Sequence, residues 1–268
     1  MKDIASRDNP DYRLLLRVLA GRRPPGERSD SRPRIALEGV HLCQSWLAFA
    51  GQPELAFFDA ERLAHPELAA LLHAVESPRV RRCAPALLRD ASQVVHGQGV
   101  IFIGRAPQVP APPRIRENCL WLDRIQDPGN LGTLLRTAAA AGIGQVYASK
   151  GCVAAWSPKV LRSAQGAHFA LGIHEGQDLH ALRERLDIPM LVTALEDAVS
   201  LHEAELPKAA AWVFGNEGRG VASALIGGAD LRLRIPQSPA VESLNVAVAA
   251  GICLFEQLRQ SAPGARRV

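Results

Sequence analysis

Leu231, Leu233 and Ile235 alternate with Arg232 and Arg234, a period-2 pattern that predicts a half-buried strand, and Pro236 and Pro239 then stop it. From Val246 the period changes: Val246, Ala249, Ala250, Cys253 and Leu254 recur at helical spacing, with Ser243 or Asn245 placed to cap the helix. The same change of rhythm recurs through the second half of the chain. CLWLD (119–123) predicts a buried strand, and the stripe Leu131, Leu134, Leu135, Ala138 and Ala139 predicts a helix over 131–141 with Asn130 as its N-cap. A strand over 145–148, a helix over 158–164, a strand in HFALGI near Ala170 and a helix over 179–186 follow. Strands over 190–195, 211–214 and 231–235 lead to the final helix. Strands alternating with helices imply a mostly parallel sheet covered on both faces, with its ligand loops at the strands' carboxyl ends.

The front of the chain divides differently. RIALEG, VHLCQSWLAFA, ELAFFD, HPELAALLHAV and GVIFIG alternate strand and helix over 34–106, which reads as a small α/β domain. The segment 107–116, PQVPAPPRIR, holds four prolines, a composition that predicts an extended linker and a boundary before a second domain over 117–268. Residues 1–33 carry many arginines interrupted by Pro24, Pro25 and Gly26, and read as a basic N-terminal arm with a short helix around 11–20. Phosphate contact and a solvated tail are equal readings of that arm.

Composition narrows the classes. With 268 residues and 47% hydrophobic positions the chain can bury substantial cores. No apolar run reaches the roughly 18 residues of a membrane span, and the N-terminus MKDIASRDNP is too polar for a signal peptide, so the expected location is the cytoplasm, with no membrane contact. Five scattered cysteines read as reduced thiols, and the net charge of +4 leans towards an anionic partner. The histidines offer no paired spacing suited to a metal, so no metal is expected, and no serine sits in a G-x-S-x-G elbow.

Three loops carry the candidate chemistry. In DRIQDPGNLGTLLRT, Arg136 stands about a turn and a half into a helix and could reach an anion over its start; taken alone, a capped core helix with a surface arginine explains the loop better. In FGNEGRGV, Gly215, Gly218 and Gly220 allow close backbone approach around one carboxylate, Glu217, in a pattern that is neither a P-loop nor a dinucleotide fingerprint. The third loop is the one between Ile235 and Val246, where Ser243 and Asn245 face a helix start.

Together these loops resemble the three motifs of the SpoU (TrmH) family of RNA ribose methyltransferases in the SPOUT superfamily. Asn130-x-Gly132-x-x-x-Arg136 is similar to the first motif, Gly215-Asn216-Glu217-Gly218-x-Gly220 to the second, and Ile235-Pro236 with Ser243-Leu244-Asn245-Val246 to the third, over about 117–260. Residues 34–106 resemble more loosely the RNA-binding domain that many members carry. The resemblance implies an α/β fold in which a parallel-sheet SPOUT domain with a deep trefoil knot follows the small domain. It also implies a homodimer, S-adenosylmethionine as cofactor, and methylation of a ribose 2′-hydroxyl, with ribosomal RNA favoured over transfer RNA as substrate. A transfer RNA methyltransferase and a non-catalytic RNA-binding protein are the alternatives.

Carried over by position, the resemblance makes Asn130, Arg136, Glu217, Ser243 and Asn245 catalytic. It gives the cofactor Thr193, Ala194, Leu195, Gly215, Asn216, Gly218, Ile235, Gln237 and Leu244. Gln237, Pro239 and Ala247 depart from residues common in the family. A guanidinium keeps its proton at a pKa above about 12, so Arg136 is expected to clamp a phosphate and stabilise developing alkoxide charge. The hydroxyl proton is left to water, to the cofactor carboxylate or to Glu217.

Overall fold

The structure, a computed structural model, describes residues 1–23, 26–27, 32–194 and 196–262. Along the first part of the chain run β1 (Lys2–Ile4), α1 (Pro10–Leu19), β2 (Arg34–Glu38), α2 (Val40–Phe49), β3 (Leu55–Asp59), α3 (Pro66–Ala74), β4 (Val80–Cys83), α4 (Pro85–Ala91) and β5 (Val100–Arg105). There follow β6 (Cys119–Asp123), α5 (Pro128–Ala140), β7 (Gln145–Ser149), α6 (Pro158–Ala164), β8 (Gly172–Gln177), α7 (Leu179–Leu182), β9 (Met190–Thr193), β10 (Val199–Ser200), β11 (Ala211–Gly215), α8 (Ser223–Gly227), β12 (Leu231–Arg234) and α9 (Val246–Ser261). These elements form two compact units: residues 1–108 with 156–169, and residues 109–155 with 170–268.

The first unit is built on a five-stranded sheet in the order β1-β4-β3-β5-β2, with β5 antiparallel to both its neighbours and the other pairs parallel. Residues 2–19 hold the expected short helix, α1, but correct the expectation that they form an arm. β1 pairs with β4, and Ile4, Tyr12, Leu15, Val18 and Leu19 pack against Phe57, Leu87 and Ile101. Asn9 caps α1 by accepting from the N–H of Asp11 at 2.9 Å, and the Tyr12 hydroxyl donates to the Leu87 carbonyl at 2.8 Å. Apolar burial therefore places this segment, together with the ion pairs that Asp11 and Asp3 make with Arg81 and Arg82 of β4. Of the rest of that arm, residues 24, 25 and 28–31 lie outside the described residues. On the opposite face Trp46 lies over Gly104, where a Cβ would stand 2.2 Å from the indole.

Residues 156–169, which the sequence reading assigns to the second domain, pack in the first unit. Phe169 meets Trp46 edge-on with ring centroids 5.9 Å apart and stacks on Phe49 at 6.4 Å. The proline-rich segment is likewise only partly a linker. Ile115 is buried, its N–H donates to the Arg185 carbonyl at 2.8 Å, and Arg114 and Arg116 pair with Asp187, so residues from Val109 onward belong to the second unit.

The second unit holds a seven-stranded sheet in the order β10-β12-β9-β11-β6-β7-β8, parallel throughout. β6 and β11 are buried at every residue, which explains their continuous apolar runs: both faces of these central strands are covered. Trp121, Tyr147, Met190, Val192 and Val213 pack with Leu179, Leu182, Val221 and Leu225. α9 secures Trp212, whose indole N–H donates to Gln257 Oε1 at 2.8 Å. The expected strand near Ala170 begins two residues later, at Gly172, after a short 3₁₀ turn. Among the described residues no helix is long and apolar enough to cross a membrane.

Candidate active site

Sheet order decides which loops meet. β12, β9, β11 and β6 are consecutive and parallel, with Thr193 opposite Leu233 and Gly215 opposite Asp123, so their carboxyl ends open onto one edge. The segments after Thr193, Gly215, Arg234 and Asp123 therefore converge, as the ligand loops of an open α/β sheet do.

Between β6 and α5 the helix starts earlier than the apolar stripe implies. Pro128 is its first residue, and Asp127, not Asn130, is the N-cap: its side chain accepts from the Asn130 N–H at 2.7 Å. Proline suits the first helical position because its missing N–H is unneeded there. The Asp-Pro pair was the signal for this cap, but it lies ahead of the apolar stripe that marks the helix.

Relieved of capping, the Asn130 side chain joins two other loops. Its Nδ2 donates to Glu217 Oε1 at 3.1 Å, and its Oδ1 accepts from Asn245 Nδ2 at 2.8 Å. Asn245 also caps α9, its Oδ1 accepting from the Ala247 N–H at 2.9 Å. Glu217 receives the N–H groups of Gln126 at 3.3 Å and Asp127 at 3.2 Å, and Asn216 Nδ2 at 3.5 Å. Burial raises the Glu217 pKa, but the hydrogen bonds from Asn130 and from the backbone outweigh it, and the carboxyl lies below the ordinary glutamate range. Glu217 is therefore a carboxylate engaged by donors.

The glycine-rich loop is held just as closely. Asn216 Nδ2 donates to the Arg124 carbonyl at 2.9 Å, while its Oδ1 accepts from the N–H groups of Gly218 and Arg219, each at 3.0 Å. Asp123, buried at the end of β6, accepts from the Ala222 N–H at 2.9 Å and pairs with Arg124. A Cβ at Gly215 would stand 2.2 Å from the backbone of Gly220 and Val221, so only glycine lets the loop fold back on its strand. Asp123, Arg124 and Asp127 are the positions that sequence reasoning passed over. Arg124 adopts φ +57, a conformation that nothing in its residue type signals.

The remaining candidates fall around this centre. Arg136 is exposed on α5, about 9 Å along the axis from Asn130 at 1.5 Å per residue, and makes no hydrogen bond or ion pair with another described residue. Ser243 is exposed beside the Asn245 cap and stays outside the hydrogen-bonded chain. Ile235 and Leu244 are half-buried, and Gln237 Nε2 donates to the Glu242 carbonyl at 3.2 Å, closing the loop between them. The Ala194 N–H donates to the Leu233 carbonyl at 2.9 Å. Thr193 ends β9, and Leu195 lies outside the described residues.

Comparison with known proteins matches residues 117–255 to the SpoU rRNA Methylase family. The chain is 34% identical to a tRNA/rRNA methyltransferase of Synechocystis, described as uncharacterized, over 97% of this chain and 96% of that one. It is 41% identical to a 23S rRNA guanosine 2′-O-methyltransferase of Bacillus subtilis over 51% of this chain and 56% of that one. Among solved structures, the AdoMet-bound rRNA methyltransferase of Sinorhizobium meliloti superposes with a TM-score of 0.81 at 25% identity, covering 97% of this chain and 98% of that one.

Proposed function

The chain belongs to the SpoU rRNA methylase family, and on that premise we propose that it methylates a ribose 2′-hydroxyl of ribosomal RNA with S-adenosylmethionine as methyl donor. The observation that carries this reading is the chain Glu217–Asn130–Asn245, which ties the three motif loops together at one sheet edge. The residues present suit the cofactor: Ile235 and Leu244 offer half-buried apolar contact for an adenosine, and the loop that folds back on its strand after Gly215 offers main chain. Thr193, Ala194, Leu195, Gly215, Asn216, Gly218, Ile235, Gln237 and Leu244 would hold it. When bound, it supplies an activated methyl group.

The chain's own residues position the attacking hydroxyl. Arg136, exposed and without a partner among the described residues, is suited to clamp the adjacent phosphate and to stabilise charge developing on the 2′-oxygen. Asn130 and Asn245, locked by their mutual hydrogen bond, present fixed polar groups at two helix starts, and Ser243 stands beside them. Glu217 is the orienting hub of this set. Its lowered pKa makes it a weak proton acceptor, which leaves that task to water or to the cofactor carboxylate.

A homodimer with the trefoil knot of the family completes the reading. Val248, Phe255 and Leu258 of α9 are 52%, 47% and 45% exposed, an apolar face that supports self-association. We place the protein in the cytoplasm. Ribose methylation mapped in RNA from cells with and without the protein tests the function and names the nucleotide. A transfer RNA site in place of a ribosomal one would overturn the choice of substrate.

A further inference from the structure

The first unit contains a cleft that the methyl-transfer chemistry does not use. It measures about 450 Å³, within the range of small-ligand sites, and lies where β2 and β3 end, at Glu38 and Asp59, under the loop 92–99. Asp59 is only 7% exposed. Its Oδ1 accepts from the Glu61 N–H at 3.0 Å, while Oδ2 has no partner among the described residues. Glu38 accepts from the Ser92 hydroxyl at 2.5 Å and from the Gln93 N–H at 3.2 Å, which fixes both its oxygens at the cleft and leaves each a lone pair. Two cations complete the lining. Arg62 donates to the Gly97 carbonyl at 2.8 Å with one of its nitrogens, and Arg89 is exposed without a hydrogen bond or ion pair to a described residue. At the rim Val95 is 94% exposed.

One buried and one half-buried carboxylate inside, with two exposed guanidinium groups and an apolar tip outside, form a combination matched by a nucleotide. We propose that this cleft is a subsite for an unpaired guanosine of the substrate RNA, an inference that rests on the RNA methyltransferase reading. The carboxylates of Asp59 and Glu38 take the base through its N–H donors, of which guanine presents adjacent ones on N1 and N2. Arg62 and Arg89 take the phosphate, and Val95 covers the base or ribose. Sequence-specific readers of RNA commonly bind splayed-out bases by such edge contacts.

The test uses the full chain and two short RNAs, an oligouridine and the same oligomer carrying one central guanosine, titrated by fluorescence anisotropy at several salt concentrations. The guanosine oligomer is expected to bind about tenfold tighter or better. Asp59→Asn should abolish that preference. Arg89→Ala, an exposed position that leaves the core untouched, should weaken both oligomers and reduce the salt slope by about one. Equal affinities for the two RNAs, or variants that bind both as the parent does, would overturn the proposal. Competition by free guanosine monophosphate without any effect of the variants on RNA would assign the cleft to a free nucleotide and overturn it equally. Methylation of RNA by the same preparations separates the two readings. Activity with an unchanged KM in the variants sinks the cleft alone, whereas a parent protein that methylates no RNA sinks the function.

Discussion

Glu217 keeps its charge because four donors converge on it: the side chains of Asn130 and Asn216 and the N–H groups of Gln126 and Asp127. Its pKa is depressed in the folded state, so its contribution is present above the ordinary glutamate value of about 4.3 and is lost only as pH falls through the lowered one. The pH profile of kcat should accordingly show no limb from Glu217 near neutrality. Glu217→Gln turns an amide donor towards donors and should lower kcat about tenfold or more while S-adenosylmethionine still binds by calorimetry. An unchanged kcat would remove Glu217 from the site. At Arg136 a lysine keeps the charge but loses the planar fork, and kcat/KM should fall by roughly a hundredfold without loss of cofactor affinity. Wild-type kcat/KM in Arg136→Lys would dismiss the clamp. The resemblance to the family motifs singles these residues out. It does not give their partners, because Asn130 meets Asn245 only through the order of strands in the sheet.

At the scale of elements, β11 and its returning loop leave least room for change. Gly215→Ala drives a methyl group into backbone 2.2 Å away, and denaturant unfolding should show a loss of several kcal/mol, of the size reserved for overpacking and strain. A fully stable variant would mean that the loop opens without cost. β1 and α1 give the second expectation. Deleting residues 1–20 removes Ile4, Tyr12, Leu15, Val18 and Leu19 from a core, so the first unit should lose its cooperative unfolding transition. Retention of that transition would return the segment to the status of a tail. The helix was expected around 11–20, but the arginines across residues 1–33 concealed β1 and the burial of both elements. β4 was hidden in the same way, since VRRC carries two arginines whose charges are met by Asp11 and Asp3. Apolar runs with both faces covered, as in β6 and β11, were legible residue by residue.

For the whole molecule, sequence rhythm specified the class of fold but not its partition. Aromatic packing of Trp46 and Phe49 on Phe169 draws residues 156–169 into the first unit, a contact across more than a hundred positions that no local pattern encodes. Self-association belongs to this scale too. Phe255→Glu places a charge on the exposed face of α9 and should shift sedimentation from dimer to monomer at micromolar concentration. A monomeric parent protein would contradict the homodimer. The central claim, methyl transfer to a ribose of ribosomal RNA by the site around Asn130, Arg136 and Glu217, is tested most directly by mapping ribose methylation in cells that lack the protein and in the same cells supplied with it. One ribosomal 2′-O-methyl group should disappear, return with the parent chain and fail to return with Arg136→Lys. Identical methylation maps with and without the protein would contradict the account.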